Sequence, residues 1–159
     1  MTQPRDSRRA AVYAAEDQLA ALLARGGAVD FHGSTVDIPR QRRFATLPDV
    51  QRYLDHVREC SWGYPQTPAP IVRPRRGTAK AHWQAPATIA LPDSTTWAMT
   101  ELVVLHEYSH HVVWHLHGTV GHDRRYCQVM RGLVSDAIGP EAGLILLAAY
   151  DHAGATNSS

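Results

Sequence analysis

At 159 residues the chain is sized for one domain with one hydrophobic core, spanning 1–159. Its 44% hydrophobic and 19% charged residues are those of an ordinary globular protein. A formal net charge of +1 excludes a global electrostatic pull towards nucleic acid or a membrane surface. The two cysteines, Cys60 and Cys127, lie in no CxxC pattern, and no run approaches the ~18 apolar residues of a membrane-spanning helix. Met1–Arg9 is polar with no signal-type apolar run behind it, so the expected location is the cytoplasm.

Residues 7 to 25 read as a helix. Ser7 is placed to cap it, Ala11, Val12, Ala15, Leu19, Leu22 and Leu23 recur at helical spacing, and Gly26-Gly27 stops it. Ala28 to Pro39 mixes β-branched and aromatic residues around a turn signal at Gly33-Ser34, which predicts a strand or short hairpin. Leu47 to Cys60 is the next helix. Thr46 is its expected N-cap, Pro48 lies in the first turn and Asp49 is placed for a capping box; Val50, Tyr53, Leu54 and Val57 form the apolar stripe.

Ser61 to Pro70 is a proline-rich loop. Strands are expected at Ile71–Arg75, Ala79–Gln84 and Ala87–Leu91, with a turn at Arg76-Gly77-Thr78. Pro86 assigns the third an edge position. Pro92-Asp93-Ser94 introduces a helix within the run from Trp97 to His117, capped by Asp93 or Ser94. Asp123–Ile138 and Pro140–Tyr150 complete the helices, separated by Gly139-Pro140, and a small polar tail, expected to be flexible, occupies 153–159. This segregated order of strands and helices predicts an α+β fold. Arginine clusters (Arg5, Arg8, Arg9; Arg40, Arg42, Arg43; Arg73, Arg75, Arg76) read first as solvated faces, with a surface for an acidic partner as the alternative.

The chemistry concentrates in His106-Glu107-Tyr108-Ser109-His110, an HExxH motif. Six of the ten histidines lie between positions 106 and 122. Residues four apart on an α-helix are turned by about 40° and separated by about 6 Å along the axis, so both imidazoles leave one face and can share a metal. Glu107 stands beside them, where it can act as a base without becoming a ligand. Two histidines and a flanking carboxylate are the parts of zinc-assisted hydrolysis. A third ligand is needed. His122, in Gly121-His122-Asp123, is the first candidate if the helix ends near His117 and the chain reverses; Glu141 and Asp136 are the alternatives. Tyr108, Tyr126, Tyr150 and His82 are candidate donors to a developing oxyanion. Asp123 either orients a ligand imidazole or favours a helix N-terminus.

These residues resemble the zincin superfamily of metallopeptidases. HExxH followed by Gly121-His122 and an aromatic Tyr126 is most similar to the SprT-like arrangement, and the chain as a whole resembles small actinobacterial HExxH-motif metallohydrolases. The motif resemblance covers about residues 95 to 135. It departs from the metzincin pattern at Val113 and Leu116, and lacks the cysteines of a C-terminal zinc ribbon. The resemblance implies a zincin-like fold, with a small mixed sheet packed on the HExxH helix. It also implies Zn²⁺ at His106, His110 and His122, Glu107 as general base and a peptide or protein substrate. Two other readings stand beside the peptidase: a zinc-binding interaction module without turnover, and a zinc hydrolase of small non-peptide amides.

Overall fold

The computed structural model describes residues 6–77 and 80–157, so Arg5, the end of the turn at Thr78 and the start of the strand expected at Ala79 lie outside the described residues. The protein is a mixed α+β structure whose described residues hold five α-helices and two small sheets. Contacts divide it into two compact units. One comprises the described residues up to Arg40 and those from Val120 onward; the other is Gln41–Thr119.

The first unit contains α1 (Arg9–Arg25), strands β1 (Gly27–Phe31) and β2 (Ser34–Ile38), α4 (Arg124–Ala137) and α5 (Pro140–Ala153). Ser7 does not cap α1; Arg8 holds the N-cap position without a side-chain bond. β1 and β2 form the expected hairpin in antiparallel register, Val29 opposite Val36. Its turn falls one residue earlier than expected, at His32-Gly33, both with positive φ, as a two-residue hairpin loop requires. Both α1 and α4 pack on α5. Val12, Leu19, Leu23, Met130, Leu133 and Leu146 supply fully buried side chains to these helices. Beyond Ala153, Ala155 is buried and its N–H donates to the Tyr150 carbonyl, while Arg8 Nη2 donates to the Asn157 carbonyl at 2.7 Å.

The second unit holds α2 (Leu47–Glu59), a 3-10 turn at Ser61–Gly63, strands β3 (Ile71–Pro74), β4 (His82–Gln84) and β5 (Thr88–Leu91), and α3 (Glu101–His117). The capping box of α2 forms as expected, Thr46 and Asp49 exchanging bonds. The chain then folds back so tightly that a side chain on Gly63 would meet the Val57 carbonyl at 1.6 Å, which only glycine permits.

The sheet order is β3-β5-β4, with β5 parallel to β3 and antiparallel to β4. The expectation that Ala87–Leu91 forms an edge is therefore corrected: β5 is central. Pro86 lies in the β4–β5 turn, where its missing N–H removes no ladder bond. Val72, Ile89 and Trp83 line up across the strands as the buried row, while Arg73, Ala90 and His82 share the outer face.

α3 is the most buried helix of this unit, with eleven of its seventeen residues buried. It begins at Glu101, not after Asp93 or Ser94, because the segment at 41–42 serves its first turn. The Glu101 N–H donates to the Arg42 carbonyl at 2.9 Å and the Leu102 N–H to Gln41 Oε1 at 2.9 Å. No helix among the described residues is long and apolar enough to cross a membrane.

Candidate metal centre

The start of α3 is pinned by its own carboxylate. Glu101, 1% exposed, accepts from Tyr53 OH at 2.6 Å, from Arg42 Nη1 at 2.7 Å and from the Arg42 N–H at 3.2 Å. A carboxylate in a first turn also sits favourably against the positive end of the helix dipole. At the other end Gly118 takes a left-handed conformation and closes the helix on the Trp114 carbonyl.

Between these ends the HExxH residues stand as their spacing requires. The Nε2 atoms of His106 and His110 are 3.3 Å apart, with ring centroids at 5.0 Å. Two nitrogens on a tetrahedral zinc, each at 2.0–2.1 Å from the metal, are separated by about 3.3 Å, so this pair fits such an ion. His106 and Glu107 are each 5% exposed. Ser109 returns its hydroxyl to the Leu105 carbonyl at 2.7 Å.

The neighbouring histidines have other work. His111 is fully buried; its Nε2–H donates to the Pro68 carbonyl at 2.8 Å and its Nδ1 accepts from Trp83 Nε1 at 3.4 Å. This one tautomer ties α3 to both the proline loop and β4, and burial lowers its pKa to about 4, keeping it neutral. His115 Nε2 donates to the Pro86 carbonyl at 2.7 Å. His117 is exposed.

His122 belongs to the other unit. It follows Gly121, whose φ of +98° favours glycine, and a side chain there would meet Asp6 at 3.5 Å. The imidazole is 6% exposed. Its Nδ1 bonds Asp6 Oδ2 at 2.6 Å, and its ring packs between Tyr126 and Tyr13, with centroids at 4.8 and 5.3 Å. With Nδ1 committed, Nε2 is the nitrogen this histidine would present to a metal. No known family, curated protein or solved structure matches this chain.

The carboxylate beside His122 is the residue that sequence reasoning missed. Of the two readings of Asp123, the helix N-terminus is the one the structure bears out: its Oδ1 caps α4 by accepting from the Tyr126 N–H at 3.0 Å. Asp6 takes the place beside His122 from 116 residues away, and no local pattern marks it. Of the candidate oxyanion donors, the three tyrosines have structural partners. Tyr108 OH donates to the Gly63 carbonyl at 2.6 Å. The Tyr126 and Tyr150 hydroxyls both donate to Glu16 Oε1, at 2.8 and 2.7 Å. His82 alone of the four is exposed, on β4. The alternative ligands Glu141 and Asp136 are exposed at helix ends.

Proposed function

We propose that this protein is a zinc-dependent hydrolase of zincin type, acting on peptide bonds, with His106, His110 and His122 holding the ion. The observation that carries the reading is the pair of Nε2 atoms 3.3 Å apart on α3, with the Glu107 carboxylate buried in the next position. Each of the three histidines offers one ligand nitrogen. Chain length permits His122 to join the pair. Five residues from His117 can span up to about 17 Å, whereas His110 lies about 10 Å back along the axis from His117. A cytoplasmic setting, where thiols such as Cys60 and Cys127 stay reduced, completes the reading.

Zinc, when bound, supplies a Lewis acid and lowers the pKa of water towards about 7. The remaining work falls to the chain. Glu107 accepts the proton of the attacking water and returns it to the leaving nitrogen. Asp6 holds the His122 ring in one tautomer and one orientation. At about 100° per residue, Glu107 lies between the His106–His110 direction and that of His111 and Trp114. Trp83 of β4 packs on these last two. The general base thus faces the side of α3 covered by β4.

The sheet's edges favour the same side for substrate. On β3 the outward Val72 N–H donates to Gln51 Oε1 at 2.8 Å, and Pro74 has no N–H, so that edge is closed to another strand. β4 is the other edge. An extended peptide added there by main-chain hydrogen bonds would run beside Glu107. Replacing Glu107 with Gln should leave zinc content unchanged and reduce peptide hydrolysis by about 10²- to 10⁴-fold. A Glu107→Gln protein that hydrolyses peptide at the wild-type rate would remove Glu107 as the base.

A further inference from the structure

The segment that builds the three-stranded sheet is chemically one-sided. No aspartate or glutamate occurs between Glu59 and Asp93, while Arg73, Arg75, Arg76, Lys80 and His82 all fall there. Elsewhere in this unit three of the four arginines are committed: Arg42 to Glu101, Arg52 to Asp49, and Arg58 Nε to the Thr67 carbonyl. Among the described residues, the side chains of Arg73, Arg75, Arg76 and Lys80 make no hydrogen bond or ion pair.

Placement sets Arg73 and Arg75 on the β3 side of the sheet and His82 on the open edge strand β4, with β5 between them. Arg73 and His82 are both register partners of Ala90, so all three stand in one row on the outer face. Adjacent strands are about 4.8 Å apart, and Ala90 is short enough for the Arg73 side chain to reach across it towards His82. Arg75 continues from the end of β3, its N–H donating to the Leu91 carbonyl at 2.8 Å. Partial burial, and then the Arg75 charge, lower the pKa of His82, which places the guanidinium within electrostatic range of β4.

We infer that this face selects acidic substrates: an extended polypeptide segment pairs with the edge of β4, and its alternate aspartate or glutamate side chains lie over His82 towards Arg73 and Arg75. The inference rests on the hydrolase reading only for where the scissile bond falls. A polypeptide is favoured over a nucleic acid because the outer rows carry Ile71, Thr88, Gln84, Arg73, Ala90 and His82, with no aromatic platform for bases; Trp83 points to the buried face. Successive side chains of an added strand alternate faces, so an acidic residue at every second position would meet this surface repeatedly.

The test uses the full chain with zinc supplied and Glu107→Gln to prevent turnover. Fluorescence anisotropy reads the binding of short labelled peptides with alternating Thr and Glu, of their Thr and Gln counterparts, and of a single-stranded oligonucleotide of equal charge. The Glu peptide should bind at least about tenfold more tightly than the Gln peptide at low salt, and the advantage should largely vanish near 0.5 M salt. Arg73→Gln combined with Arg75→Gln should reduce it to about twofold or less, while Arg43→Gln, elsewhere in the unit, should leave it intact. Equal binding of the two peptides, no binding of either, a preference that survives the double substitution, or tighter binding of the oligonucleotide would overturn the inference. Zinc content and cleavage of neutral peptides by the wild-type chain are measured in parallel. Their failure beside an intact acidic preference would remove the hydrolase reading and leave the surface standing.

Discussion

Each unit of the molecule has a buried carboxylate outside the candidate ligand set that ties its elements together, Glu101 in one and Glu16 in the other, and the two meet different partners. In the second unit Glu101 has a cationic partner: Arg42 and Tyr53 share its Oε2, and the Arg42 side chain is 61% exposed. In the first unit Glu16, 5% exposed, takes two phenol hydroxyls on a single oxygen, from Tyr126 of α4 and Tyr150 of α5. One carboxylate fixes the start of the helix that bears His106 and His110. The other joins α1 to the two helices that follow His122. Neither helps to perform the proposed reaction; both set the positions of the elements that would.

The difference predicts unequal costs. Glu16→Leu removes the acceptor of two phenols donated from within a helical core and should destabilise the protein by about 3 kcal/mol in chemical denaturation. Glu101→Leu should cost about 2 kcal/mol, because the mostly exposed Arg42 can return to water. Equal losses, or a larger one at Glu101, would break the comparison.

A smaller effect sharpens it at the ligands. Asp6→Ala should weaken zinc binding by about 10- to 100-fold with little change in fold, whereas Asp123→Ala should lower stability by about 1 kcal/mol through its lost cap and leave zinc affinity nearly unchanged. Competition with a colorimetric chelator separates the two variants.

A further effect is one of pH. Burial holds Tyr53 and Tyr150 above their ordinary range and pushes Tyr108 and the Cys127 thiol up to about 12. These groups stay protonated in the folded chain after they would ionise in the unfolded one. Their contribution is therefore complete below about pH 9 and is lost as pH rises from there towards 12. Melting temperatures should fall progressively across that window, and a flat profile would contradict the burial of these hydroxyls.

Local chemistry was readable from the sequence wherever neighbours in the chain were also neighbours in space. The Thr46–Asp49 capping box, the hairpin at 27–38, the break at Gly139-Pro140 and the 3.6-residue logic of His106 and His110 are all of that kind. What escaped depends on distant partners. β5 is central because β3 pairs with it in parallel, a choice that alternation and Pro86 cannot report. The late start of α3 depends on Gln41 and Arg42, about sixty residues away. Asp6 and Glu16 look like ordinary acidic residues of an N-terminal helical region until Tyr126, Tyr150 and His122 arrive beside them.

The central claim is that three histidines hold one zinc ion and leave a position for water. An X-ray fluorescence scan for metal content, followed by anomalous diffraction at the zinc edge, tests it most directly. The account predicts one zinc per chain, bound by His106, His110 and His122 with an open fourth position. A protein that takes up no metal when zinc is supplied, or an ion closed off by a fourth protein ligand or bound through Glu141 instead of His122, would contradict it.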